Sequence, residues 1–195
     1  MSEITALIRT IGRPTLGNAI ECAKREFDRV VVVADNVDIP QDVDNVTYLR
    51  TGQKFGFYGG AAINMGAYAT TTDFFCLLDD DDEYVDGAGY KMKSCIIEEP
   101  DVDIWIPGLL YNDGATVCMS DAAGVAIGNI AVPTYRTQLL WEQPFHAKLG
   151  IHDINCIDFY HVLSLHAAGH SVQWYGEALY RVRPELSGRF GKGSV

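Results

Sequence analysis

Phe74-Phe75-Cys76-Leu77-Leu78-Asp79-Asp80-Asp81-Asp82-Glu83 decides how this chain is read. Five apolar residues in succession predict a strand buried on both faces. Five carboxylates follow without a break. An isolated acidic run is a solvated loop, because like charges repel and water screens them. Here the run is fastened to the end of a buried strand, so its charges have nowhere to spread. A divalent cation that prefers hard oxygen ligands is the simplest partner for such a cluster. In open α/β sheets the carboxyl ends of the strands are also where ligands bind.

Other segments build a sheet around this one. Ile4–Ile8 reads as a strand, closed by the turn Gly12-Arg13-Pro14. Thr15–Phe27 is a helix with Leu16, Ala19, Ile20, Ala23 and Phe27 on one face. Val30–Ala34 and Val46–Leu49 are strands, Gly59–Ala69 is a helix of small residues, and Asp73–Leu78 is the fourth strand. Asp86–Glu98 is helical, and Asp103–Pro107 is a fifth strand. This β-α-β alternation predicts an α/β fold with a mainly parallel central sheet between two helical layers. Beyond Gly108 the pattern loosens. Tyr111–Met119 predicts a hairpin about Asn112-Asp113-Gly114, Val125–Val132 a strand and Tyr135–Trp141 a short helix. Asn155–Ala168 is a helix stopped by Gly169, and Ser171–Tyr175 is a strand. From Pro184 the chain is polar and glycine-rich and reads as a mobile tail.

The 195 residues suffice for one domain with a substantial core, and 48% hydrophobic with 21% charged residues fits a globular protein. The net charge of −11 disfavours tight non-specific binding to nucleic acid or anionic membrane. Five cysteines without a CxxC pair read as reduced core residues. With no leader pattern and no apolar run of membrane length, a cytoplasmic location is expected. No GxGxxG follows the first strand, which removes a dinucleotide dehydrogenase, and no HExxH occurs among the five histidines. His161 and His166 are expected to be structural or surface residues, and Trp105, Trp141 and Trp174 core.

Four segments in order resemble the family 2-type glycosyltransferases of the GT-A fold. They are Ile8-Arg9-Thr10-Ile11-Gly12-Arg13-Pro14-Thr15-Leu16, Val31-Val32-Val33-Ala34-Asp35-Asn36, the pair Gly60–Gly66 and Phe75–Asp82, and Ile157-Asp158 followed by Gly169. The resemblance implies one Rossmann-like GT-A domain over residues 1–183 and a flexible tail over 184–195. It implies transfer from a nucleotide diphosphate sugar, uridine-linked, to an acceptor hydroxyl with inversion. It implies Mn²⁺ or Mg²⁺ as cofactor, with Asp81 as direct ligand and Asp79 on the metal through water or on the ribose. Thr10, Arg13, Asp35, Asn64, Asp79 and Asp80 would bind the donor, with Asp35 accepting from the base. The tail Tyr180-Arg181-Val182-Arg183 resembles the family's closing segment, so Arg181 and Arg183 would reach the diphosphate. Acceptors would be read by the segment Tyr111–Lys148.

Plainer roles stand beside these. Asp35 suits a turn, Arg13 suits a surface charge, and Asp82 and Glu83 suit solvated neighbours of the motif. Asp158 shares a helical stripe with Ile154, Val162 and Leu165. A carboxylate on an apolar face needs a partner or a task, and burial would raise its pKa into the range of a general base. It also suits a first-turn carboxylate favoured by the helix dipole. Asp153, the rival base, sits where an N-cap belongs. The chain departs from the family at Ile63, where an arginine is usual, at Ile157, where a glutamate is usual, and at Pro184-Glu185, where a histidine often follows. These departures motivate the alternative of a degenerate domain that binds a nucleotide sugar or a partner without transfer.

Overall fold

The computed structural model describes residues 2–55, 60–111, 116–117, 132–145 and 157–182, with 116–117 and 157–160 as backbone. In chain order the elements are β1 (Ile4–Thr10), α1 (Leu16–Glu26), β2 (Arg29–Ala34), β3 (Val46–Arg50), α2 (Gly60–Ala69), β4 (Phe74–Asp79) and β5 (Glu83–Tyr84). Then follow α3 (Ala88–Glu98), β6 (Ile104–Tyr111), β7 (Thr116–Val117), β8 (Thr134–Arg136), α4 (Thr137–Glu142), α5 (Ile157–Ala167) and β9 (Val172–Val182). The strands form one sheet in the order β3-β2-β1-β4-β8-β6-β9-β5, with β7 beside β6. Pairings β1–β2, β2–β3, β1–β4 and β6–β9 are parallel. The antiparallel members are the short β5, β7 and β8.

The apolar runs become strands because both faces are covered. Ile4, Ala6, Ile8, Val30 and Val32 pack with α1 and α3 residues such as Ile20 and Met92. The alternate residues Leu7, Phe75 and Leu77 pack with Ile63 of α2, Leu139 of α4 and Leu165 of α5, and Val31 and Val33 pack with Ala62. Each fully buried Val, Leu or Ile contributes about 1.5–3 kcal/mol, so this two-sided core is the main source of stability. Close approach of the layers depends on two glycines. A Cβ on Gly66 of α2 would lie 2.5 Å from Leu7 Cδ1, and one on Gly89 of α3 would lie 1.8 Å from the Glu26 carbonyl oxygen.

Several expectations shift in the second half. Helix α4 starts at Thr137, not Tyr135, because Tyr135 joins β8, where its buried ring stacks on Phe75 at 5.4 Å. The fifth strand continues past Pro107 to Tyr111, and the last one continues past Tyr175 to Val182. Proline lacks a ladder donor, and the chain accommodates Pro107 at a register shift between Ile106 and Gly108. The pairs Leu109–Val117 and Leu110–Thr116 fit the expected hairpin, whose tip lies outside the described residues. The strand expected at Val125–Val132 lies outside them too, save for buried Val132, which is in no strand. Trp105 is buried, as expected, whereas Trp141 is 53% exposed. Cys22, Cys76 and Cys95 are free thiols, and burial pushes Cys76 far above the usual thiol range. Helix α5 ends as expected at Gly169 (φ 98°), with His170 N–H donating to the Leu165 carbonyl at 3.1 Å. No helix among the described residues is long and apolar enough to cross a membrane. The tail 184–195 lies outside the described residues.

Gly89→Ala must push α3 away from rigid backbone, so it is expected to lower stability by about 1–3 kcal/mol. Gly17, in α1, has nothing within 4 Å of its would-be Cβ. Gly17→Ala is therefore expected to be neutral, or stabilising by about 0.4–1 kcal/mol. Urea midpoints of the two variants check the contrast.

Candidate active site

Strand β1 lies between β2, reached through α1, and β4, reached after the chain has built β2, β3 and α2 on the other side. This reversal is a topological switch point, where the loops leaving adjacent strands form a ligand crevice. Two such loops meet here. One follows β1 through Ile11 and Arg13. The other is Asp79–Asp82, a β-turn closed by Asp82 N–H donating to the Asp79 carbonyl at 3.1 Å. The turn sends the chain straight into β5, so the acidic run is folded back under the sheet edge instead of extending into water.

Asp79, Asp80, Asp81 and Asp82 are all buried, at 3%, 0%, 2% and 4% exposure. Buried carboxylates are costly unless paired and hydrogen-bonded. Arg9, beside Asp79 in the β1–β4 register, brings Nε to 2.6 Å from Asp79 Oδ1. Arg13 pairs with Asp80, and its Nε lies 3.7 Å from Asp81 Oδ2. Asp80 also accepts from the Thr10 hydroxyl and, at 3.3 Å, from Ile11 N–H. The Tyr180 hydroxyl donates to Asp82 Oδ2 at 2.9 Å and accepts from Asp79 N–H at 3.1 Å. Burial, with the charges of Asp82 and Asp79 beside it, pushes the Tyr180 hydroxyl well above its usual range. It therefore stays a proton donor.

Carboxylate oxygens of Asp79, Asp81 and Asp82 lie within 4.8 Å of one another. Three hard oxygen donors at that spacing fit Mg²⁺ or Mn²⁺ in chemistry. Asp82 is thus no solvated neighbour: the turn buries it and Tyr180 holds it. Glu83 is half-buried and pairs with Arg181 Nη1 at 3.2 Å across the β5–β9 pair.

The remaining sequence candidates divide. Asp35 directly follows β2 at the same sheet edge, its N–H bonded to the Thr10 carbonyl at 2.9 Å. It is buried, and its Oδ1 accepts from Phe55 N–H at 2.8 Å and from the Thr51 hydroxyl at 3.2 Å. Asn64 is engaged elsewhere. Its amide makes two 2.8 Å bonds to Phe145, one to the carbonyl and one from the N–H. Phe145 is also stacked on His161 at 3.9 Å, and His161 Nε2 lies 2.8 Å from the Gln143 carbonyl. That arrangement gives His161 the structural role expected of it. Asp158 lies in the first turn of α5, one turn before buried Val162 on the same stripe. Helix α5 leads into β9, whose Val172 pairs with Ile104 at the start of β6. Asp153 and Arg183 lie outside the described residues. Sequence reading missed Arg9 and the support from Tyr180. A cation in a strand that otherwise alternates between two cores was the available signal for the first.

The chain is similar to known proteins in two comparisons. A family model, "Glycosyl transferase family 2", matches residues 6–146. Among solved structures, S. aureus TarS 1-349 superposes with a TM-score of 0.74 at 16% identity, over 96% of this chain and 62% of that one. The same fragment in complex with UDP-GlcNAc gives 0.68 at 14% identity, over 99% and 62%. The mannosyltransferase PcManGT from Pyrobaculum calidifontis, in complex with GDP-Man and Mn²⁺, gives 0.65 at 11% identity, over 93% and 56%. The chain thus spans about three-fifths of the length of these structures. No curated protein matches it in sequence. The model match covers most of the chain, and the switch-point sheet agrees with it. The chain belongs to glycosyl transferase family 2.

Proposed function

We propose that this domain transfers a sugar from a uridine diphosphate sugar to an acceptor hydroxyl, with inversion and with help from Mn²⁺ or Mg²⁺. The observation that carries this reading is the convergence of Asp79, Asp81 and Asp82 at the sheet edge where Asp35 also lies. The nucleotide sugars and Mn²⁺ in structurally similar proteins support it. Asp79 and Asp81, with Asp82, would hold the cation. Bound there, it would offset the charge that grows on the leaving diphosphate.

The chain's own residues do the rest. Asp35 accepts from N3–H of the base, beside the first loop. Asp80 fastens that loop through Thr10, Ile11 and Arg13, so the loop's position is coupled to the acidic turn. Arg13, Arg181 and Arg183 supply positive charge toward the diphosphate. Asp158 takes the proton of the acceptor hydroxyl as that oxygen attacks the anomeric carbon. The nucleoside diphosphate leaves from the opposite face, and the stereochemistry inverts.

Three outcomes are expected. Asp81→Asn weakens UDP binding in Mn²⁺ by more than about tenfold, roughly 1.4 kcal/mol. EDTA weakens wild-type binding similarly, and calorimetry with and without chelator checks both. Wild type prefers UDP to CDP and ADP, and Asp35→Ala erodes the preference, because a buried acceptor rejects bases lacking the matching donor. Equal binding of all three nucleotides by wild type removes Asp35 from base recognition. Asp158→Asn keeps donor binding but lowers turnover by roughly 10²–10⁴-fold, whereas Asp153→Asn leaves turnover near wild type. An active Asp158→Asn with an inactive, stable Asp153→Asn moves the base to Asp153. Donor binding without turnover by wild type, toward any hydroxyl acceptor, supports the non-catalytic alternative.

A further inference from the structure

We infer that helix α3 is a self-association face, and that its partner is a second copy of the same helix, laid antiparallel about a two-fold axis near Ser94. The inner side of α3 is fixed by the core, where Met92 and Ile96 are buried. Its outer side carries Tyr90, Ser94 and Ile97, whose spacing places them in one stripe along the helix. Tyr90 is 77% and Ile97 55% exposed. Two large side chains at the ends of a stripe, with a small residue between them, let another helix come close. Beside the stripe, between α3 and β9, lies a cavity of about 220 Å³ lined by Ser94, Cys95, Glu98, Tyr175 and Leu179. In the antiparallel pair Tyr90 of the second copy comes over Glu98, at the rim of this cavity.

Charge selects the partner. Lys91 stands near the start of α3 and Glu98 ends it, both on the same flank of the stripe. In an antiparallel two-fold pair each flank meets its own counterpart, so Lys91 of each copy stands against Glu98 of the other. The same axis sets Tyr90 against Ile97. The helix dipole points the same way. The first turn of α3 has no acidic residue, its last turn has no basic one, and the cap residue Gly87 has no side chain to offer. Lys91 therefore lies near the positive end of the dipole, and Glu98 and Glu99 lie at the negative end. Glu26 of α1 accepts from Gly89 N–H at 3.2 Å and offsets part of this at the amino end. An antiparallel copy corrects both ends at once, bringing carboxylates to the amino end and a lysine to the carboxyl end. A parallel copy sets like charges side by side. Lys91 also reaches Glu177 at 3.0 Å, an exposed pair that a second carboxylate can share. The helix lies on the α1 side of the sheet, opposite α4 and α5, so pairing leaves the layer that carries Asp158 uncovered. The pairing does not depend on the chemistry proposed for the acidic turn.

Sedimentation equilibrium of the full chain tests this. Wild type is expected to show a monomer–dimer equilibrium. Lys91→Glu and Glu98→Lys are each expected to weaken self-association by more than about tenfold, because each sets like charges face to face at two places. Mixed together, the two variants are expected to form a heterodimer of near wild-type affinity, since every facing pair is then opposite in sign again. Tyr90→Ser is expected to weaken association with the charges unchanged. Melting temperatures check that the variants are folded, as substitutions at exposed positions predict. Should a charge variant fail to fold, Tyr90→Ser and Ile97→Ser answer the same question. A wild type that stays monomeric up to millimolar concentration overturns the inference. A dimer indifferent to all of these substitutions lies on another face and overturns it as well. Folded single variants that are monomeric alone and fail to pair when mixed overturn the antiparallel register. A wild type that grows beyond two copies overturns the closed two-fold pair.

Discussion

Four aspartates are buried in one turn, and much of the domain is arranged around keeping them there. Desolvating a carboxylate costs several kcal/mol unless charge and hydrogen bonds replace the lost water. Here the replacements come from far along the chain. Arg9 and Arg13 come from the first strand and loop, Thr10 and Ile11 add hydrogen bonds, and Tyr180 comes from the last strand. The turn thus fastens the first strand, the fourth and the ninth at one place. Loosening any of these changes the position of the carboxylates, so the fold and the proposed chemistry share the same interactions.

Beneath the turn stands an aromatic support. Tyr180 meets Tyr84 edge-on at 5.1 Å, and Tyr84 meets Phe27 edge-on at 4.9 Å. Tyr84 also donates to the Leu77 carbonyl at 2.8 Å, and its N–H reaches Cys22 Sγ at 3.2 Å. Such ring pairs add about 0.5–1.5 kcal/mol beyond the area they bury. They tie helix α1 and strand β5 to the end of β4. The close approach of α1 and α3 at Gly89 lets this layer sit tightly against the sheet. On the opposite face Phe145 is held by Asn64 and His161, which fixes the described end of the segment that precedes α5.

The first half of the fold was legible in the sequence. Its strands are β-branched runs with buried neighbours on both sides, its helices carry one apolar face, and local pattern and tertiary packing agree. The second half was less so. Tyr135 looks helical by periodicity but joins β8, because Phe75 stacks on its ring and the Asp103 carbonyl accepts from the N–H of its neighbour Arg136, partners that the next helical turn does not offer. Pro107 looks like a strand end, yet the strand passes through at a register shift that removes the need for its missing N–H.

For the site, the sequence by itself determined which residues carry negative charge and that they end a buried strand, since composition and order need no coordinates. It determined family membership for the same reason: motifs in series survive when overall identity is low. Only the tertiary structure decided which aspartates converge, that Asp82 is held inside, that Arg9 neutralises Asp79, and that Asn64 is engaged with Phe145. The last three of these facts rest on pairs separated by 70 to 98 positions in the chain. The spacing of residues along one strand or helix fixes which of them share a face. It does not fix which distant charge a parallel neighbour brings alongside, because that depends on strand order and register, and those are set by the whole core.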